Sequence, residues 1–108
     1  MRELSRRELA VLAAVRPDVA EHVRHLVAAV PGLVITSGLR SVERNRAVGG
    51  VKGSLHLVGR AVDLAGSNVA LAAGLAFASR GGRPGRRGGP TEGLIHDSGS
   101  GLHLHLAW

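Results

Sequence analysis

The sequence predicts an α+β domain: a small antiparallel sheet that carries a cluster of polar residues on one face, with helices packed on the other. Three observations carry this expectation. Apolar residues recur at helical spacing over residues 5–30 and again over 68–79. Short β-rich runs follow the helical regions at 33–36, 61–64 and 92–107. The last run alternates strictly, Leu102-His103-Leu104-His105-Leu106, so its two residue types fall on opposite sides of a strand.

Each element has a local cause. Ser5 with Glu8 is a capping box, and Leu4 with Leu9 can form the hydrophobic staple around it. Leu9, Leu12 and Ala13 are expected on the buried face, and Arg16-Pro17 ends the helix. Pro17 opens a second helix in its first turn, with Asp18 placed against the positive end of the dipole. Val19, Val23, Leu26, Val27 and Val30 form its core stripe. His22 and His25 lie on the polar side, four residues after Asp18 and Glu21, and read as ordinary surface pairs rather than ligands. Pro31-Gly32 turns the chain into a buried strand at 33–36, which leaves through Ser37-Gly38-Leu39-Arg40-Ser41. Arg40, just beyond that strand, either points into a cleft or lies on the surface. Ser41 caps a short helix, Val42–Ala47, and a loop from Gly49 to Gly53 follows.

Gly59 marks a positive φ or a close backbone approach. Ala61-Val62-Asp63-Leu64 reads as a strand with Ala61 and Asp63 on one side, Val62 and Leu64 on the other. An isolated Asp in a strand needs its charge offset, by a metal or by one of the many arginines. Gly66 or Ser67 starts a helix over Asn68–Ser79, with Val69, Ala72, Ala73, Ala76 and Phe77 on one face and Leu71 and Leu75 widening it. Arg80-Gly81-Gly82 ends it, and the glycine- and arginine-rich stretch 81–90 reads as a surface loop. Residues 92–97 and 101–107 then form a hairpin through Ser98-Gly99-Ser100. Leu102, Leu104 and Leu106 bury, so His103, His105 and Ala107 project to the other side, toward the Asp63 strand. Trp108 is expected to pack at the end.

Composition bounds the chemistry. The length suits a single domain, 1–108. The apolar fraction is 44%, mostly Ala, Val and Leu with one Phe and one Trp, which makes a thin core that a bound metal could reinforce. The net charge is +6, and every basic residue except Lys52 is arginine, a balance that suits anionic partners. The arginines are scattered and aromatics are nearly absent, so no nucleic-acid partner is expected. No apolar run reaches the ~20 residues of a membrane helix, and no membrane association is expected. The N-terminus lacks a signal-peptide core, which points to cytoplasmic synthesis. With no cysteine, any metal is held by nitrogen and oxygen. His56, Asp63 and His105 are suitable ligands from two separate segments, with His103 beside the last. A catalytic zinc keeps three such ligands and leaves a position for water.

Ile35-Thr36-Ser37-Gly38-Leu39-Arg40-Ser41, Asn45 through Val48-Gly49-Gly50, Ser54-x-His56-x-x-Gly59-x-Ala61-x-Asp63 and His103-x-His105 together resemble the M15 family of zinc D-alanyl-D-alanine peptidases. That family shares a superfamily with lysostaphin-type enzymes and the hedgehog N-terminal domain. The likeness spans roughly residues 31 to 107 and is greatest to phage endolysins. It implies a hedgehog/DD-peptidase-like α+β fold with one zinc ion on His56, Asp63 and His105. It implies that His103 assists catalysis, that Arg40 binds or polarises substrate, and that Ser54 supports the substrate-binding edge. The activity implied is hydrolysis of a peptide bond in the stem or cross-bridge of peptidoglycan, as a carboxypeptidase or a wall endopeptidase. A monomer is expected, reaching the wall through a holin or on a virion. One position departs: many relatives carry Glu or Asp three residues before the last ligand, and here Leu102 stands there. The proton role then falls to His103, with Asp97 or Glu92 as alternatives. The competing reading is a non-catalytic zinc domain on the same scaffold.

Overall fold

The computed structural model describes residues 3–49, 53–79, 89–97 and 101–108. The expected loop segments at 50–52 and 80–88 and the hairpin turn at 98–100 lie outside the described residues.

Helix α1 (Arg6–Ala14) starts at the expected capping box. The Ser5 N–H donates to Glu8 Oε1 at 3.0 Å and the Glu8 N–H to Ser5 Oγ at 3.1 Å. The inward face of this helix differs from the expected one. Glu8 is 3% exposed, because its second oxygen accepts a bond from the Ile35 N–H at 3.0 Å. Holding that carboxylate against the first strand turns Glu8, Leu12 and Val15 inward, and Leu9 is left 47% exposed. A buried charge of this kind is tolerable only when it is fully hydrogen-bonded, and here it satisfies backbone donors at both a helix end and a strand edge.

Helix α2 (Pro17–Ala29) buries Val19, Ala20, Val23, Leu26 and Val27 as the spacing predicts. Asp18 pairs with the Arg16 guanidinium at 3.0 and 2.6 Å rather than with His22, whose ring lies 5.9 Å from that of Trp108. Helix α3 (Val42–Ala47) is capped by Ser41 Oγ, which accepts from the Arg44 N–H at 3.0 Å. Helix α4 (Asn68–Ser79) has the expected bounds but another buried stripe: Ala70, Leu71, Gly74 and Ala78 face inward, while Val69 is 80% exposed. A helix apolar on all sides has no periodicity to choose a face, and the choice falls to closeness of fit. A Cβ at Gly74 would lie 2.9 Å from both Leu33 and Leu104, so the glycine seats α4 directly on the sheet.

Strands β1 (Val34–Ser37), β2 (Ala61–Ala65), β3 (Glu92–Asp97) and β4 (Leu102–Ala107) form one antiparallel sheet in the order β1-β2-β4-β3. The fold class is thus α+β. As an edge strand, β1 is only half-buried: Ile35 faces the core and Val34 is exposed. Ile35, Val62, Leu64, Leu104 and Leu106 pack with Leu12, Val19, Val23, Leu26 and Leu71 of the helices in one core. Full burial of each such side chain contributes about 1.5–3 kcal/mol. Leu102, at the strand end, is 43% exposed and does not join them. Trp108 is buried as expected, and its N–H donates to the Arg60 carbonyl at 2.8 Å. No helix among the described residues is long and apolar enough to cross a membrane.

Candidate metal centre

The sheet face away from α1, α2 and α4 carries the polar cluster, and strand register builds it. Asp63 and His105 are direct cross-strand partners on β2 and β4, so their side chains leave the sheet on the same side. His56 arrives from the turn before β2, a 3-10 helix spanning Leu55–Val58. Ser54 Oγ caps that turn by accepting from the His56 N–H at 3.2 Å, so Ser54 orients the loop rather than the ring. Gly59 ends it with φ 70°, a conformation that favours glycine, and a Cβ there would crowd the Ala14 carbonyl at 3.2 Å. The Arg40 N–H donates to the His56 carbonyl at 2.9 Å, tying the exit of β1 to the same turn.

The side-chain geometry is directed throughout. His56, 2% exposed, donates from Nδ1 to the Gly38 carbonyl at 2.7 Å. A carbonyl only accepts, so Nδ1 carries a proton, while Nε2 faces Asp63 Oδ1 at 3.2 Å. His105 Nδ1 lies 2.9 Å from the same Oδ1, and its Nε2 lies 2.9 Å from Glu92 Oε1. Arg40 spans the back of the cluster, with Nη2 3.1 Å from Asp63 Oδ2 and Nη1 3.0 Å from Asn45 Oδ1. Burial alone pushes the Asp63 carboxyl up, but hydrogen bonds from His105 and then His56 outweigh it, and its pKa is held well below the ordinary range. That of His105 is raised, first by its bond to Asp63, with burial opposing and Glu92 adding a smaller effect.

His56, Asp63 and His105 form a group able to hold a metal ion: one ligand atom from each lies within 4.8 Å of the others. His103 stands on the same strand face as His105, half-buried, opposite His96 with ring centroids 6.3 Å apart. Asp97 pairs with Leu102 on the other face of the hairpin, and its Oδ1 accepts from the Gly101 N–H at 3.3 Å. That face is wrong for a proton acceptor at the cluster.

A family model described as Peptidase M15 matches residues 6–96. The chain belongs to the peptidase M15 family. The match spans α1 to β3 and includes His56 and Asp63, ending before His103 and His105 on β4. Peptidases of this family are zinc-dependent, in keeping with the His-Asp-His group of this M15 domain. No curated protein and no solved structure matches the chain.

Several contacts go beyond the sequence reading. The bond of Glu92 to His105, and the proximity of His96 to both His103 and His105, follow from strand alternation, which puts Glu92, Leu94 and His96 on the site side of β3. The Asn45 contact to Arg40 and the Gly38 carbonyl behind His56 have no local sequence signal, because both depend on how β1 leaves the sheet.

Proposed function

We infer that this M15 domain is a zinc-dependent peptidase of peptidoglycan, cleaving a peptide bond in the stem or cross-bridge as a D-alanyl-D-alanine carboxypeptidase or a wall endopeptidase. The observation that carries the reading is the convergence of His56, Asp63 and His105, brought from a turn and two strands to within 4.8 Å. The donor set fits zinc: two imidazoles and a carboxylate, with no thiolate available. It is also prepared for a cation. Asp63 stays ionised, and the Gly38 carbonyl holds His56 in the tautomer that leaves Nε2 free to ligate.

Zinc bound to these three side chains supplies Lewis acidity, activating water and polarising the scissile carbonyl. His103, beside His105 on the same face, moves the proton between water and the leaving amine, the task of the carboxylate that Leu102 replaces. Two of Arg40's N–H groups are engaged by Asp63 and Asn45; the others are offered to a substrate carboxylate or to the oxyanion. The net charge of +6 favours an anionic wall, at which a cytoplasmically made, monomeric enzyme would act after release by a holin or delivery on a virion.

The test is zinc content together with clearing of purified cell walls. One equivalent of zinc, clearing abolished by EDTA and restored by zinc, and clearing lost with zinc retained in His103→Ala are the expected results. Leu102, in the place of the usual carboxylate, favours one other reading, a zinc domain that binds without cutting. Stoichiometric zinc with no clearing at any pH would establish it.

A further inference from the structure

We propose that Glu92 is a positioning residue for the metal centre, fixing the His105 ring so that Nδ1 is the nitrogen offered to the metal. The proposal rests on the metal-site reading above and names a part for a side chain outside the ligand set.

The argument is one of proton placement. A neutral imidazole carries one N–H, and the nitrogen that carries it cannot ligate. His105 has a carboxylate at each edge: Asp63 Oδ1 at 2.9 Å from Nδ1 and Glu92 Oε1 at 2.9 Å from Nε2. When a cation takes the place of the proton on the Asp63 side, the remaining proton must sit on Nε2, where Glu92 accepts it. Outer carboxylates fix ligating histidines in this way, setting both tautomer and ring orientation. His56 uses the same device in the opposite sense, since the Gly38 carbonyl holds its Nδ1–H at 2.7 Å and leaves Nε2 to ligate. One ring is thus set by backbone, the other by a side chain from the sheet edge.

The fold supports the reach of Glu92. It opens β3 opposite Ala107, on the same face as Leu94, which is the direct partner of His105. The Thr91 N–H donates to the Ala107 carbonyl at 2.8 Å, anchoring the backbone where the side chain begins. The same placement removes Glu92 from the candidates for general base. Its carboxylate lies behind the ring, on the nitrogen facing away from Asp63, and cannot hold Nε2 while also taking a proton at the metal's open position. With the Glu92 side chain half-exposed, its bond to His105 adds little to fold stability, so its effect should be seen in metal binding.

The experiment is competition for zinc between a chromophoric chelator and the purified protein, its Glu92→Ala and Glu92→Gln variants, and His56→Ala as the site control. Glu92→Ala should weaken zinc binding about 10–100-fold. Glu92→Gln should fall between, since its amide oxygen still accepts from Nε2–H. The urea midpoint of the metal-free protein should not move, whereas a merely structural role would lower it. Nitrogen NMR of the zinc-loaded proteins should show His105 as the Nε2–H tautomer in the wild type, with that preference weakened in Glu92→Ala. Zinc affinity of Glu92→Ala within twofold of wild type, with His56→Ala defective, would overturn the positioning role alone. Wild-type protein that takes up no zinc, or His56→Ala that takes it up normally, would overturn the metal-site reading and this proposal with it.

Discussion

On one side of β2 and β4 stand Val62, Leu64, Leu104 and Leu106, none more than 1% exposed; on the other, one residue along, stand Asp63 and His105. The backbone hydrogen bonds are shared, yet the two faces are held by different physics. The leucine face is held by apolar burial and dispersion, which have no direction and accept any shape that fills the space. The site face is a chain of directed contacts: Asn45 to Arg40, Arg40 to Asp63, Asp63 to two histidines, and each histidine to an outer acceptor. Because alternation has a period of two, a one-residue slip would exchange the faces. The core therefore fixes the register that assembles the site, while contributing no atom to it.

The largest way to break this pairing is on the core side. Leu104→Ala should cost about 2–5 kcal/mol of stability, the range for deleting a fully buried leucine. Below its melting transition the variant should still bind zinc within a few-fold of wild type. Urea denaturation with chelator competition on the same sample reads both. Loss of zinc binding in protein that is still folded would mean that the two faces are not separable.

Arg40→Ala tests the site side. Removing one preorganised donor from an oxyanion commonly costs about 2.7–4 kcal/mol in kcat, and turnover on wall peptide should fall accordingly. Zinc should remain bound, because Arg40 lies outside the ligand set of His56, Asp63 and His105. Wild-type kinetics would leave Arg40 with only its contacts to Asp63 and Asn45.

The same contrast explains what the sequence made legible. Where one period acts alone it was readable: the α2 stripe, the Ser5 and Ser41 caps, and the alternation of β4 that set His103 and His105 apart from the leucines all stand as expected. The α1 and α4 faces were not. In α1 the deciding contact, Glu8 to the Ile35 backbone, joins residues 27 positions apart. In α4 nearly every residue is apolar, and a glycine decided which side could come close. The group of His56, Asp63 and His105 was legible because ligand chemistry restricts residue type. Of its outer partners, alternation alone puts Glu92 on the site face, whereas the Gly38 carbonyl and Asn45 arrive only through the way β1 leaves the sheet.

The smallest expected effect concerns a single proton, and it sharpens the contrast because the leucine face has nothing to titrate. In the metal-free protein the pKa of His105 is raised, chiefly by its bond to Asp63. A raised histidine contributes stability fully below its unfolded value, about 6.5, and loses it as pH climbs through the higher folded value. Asp63 has the opposite sense: burial pushes it up, the two histidines pull it down further, and the net lowering contributes stability above the unfolded value of about 3.9. That contribution disappears only as pH falls through the depressed folded value. Chelator-treated protein should therefore lose stability from neutral into mildly alkaline pH. Zinc, taking the place of the Nδ1 proton, should remove that loss and bind more tightly over the same window. Urea midpoints from pH 5 to 9 check this against two variants. Leu104→Ala should shift the whole curve down with its shape unchanged, whereas Asp63→Asn should flatten the alkaline fall. An equal fall in Asp63→Asn would mean that the proton at stake is not held by this pair.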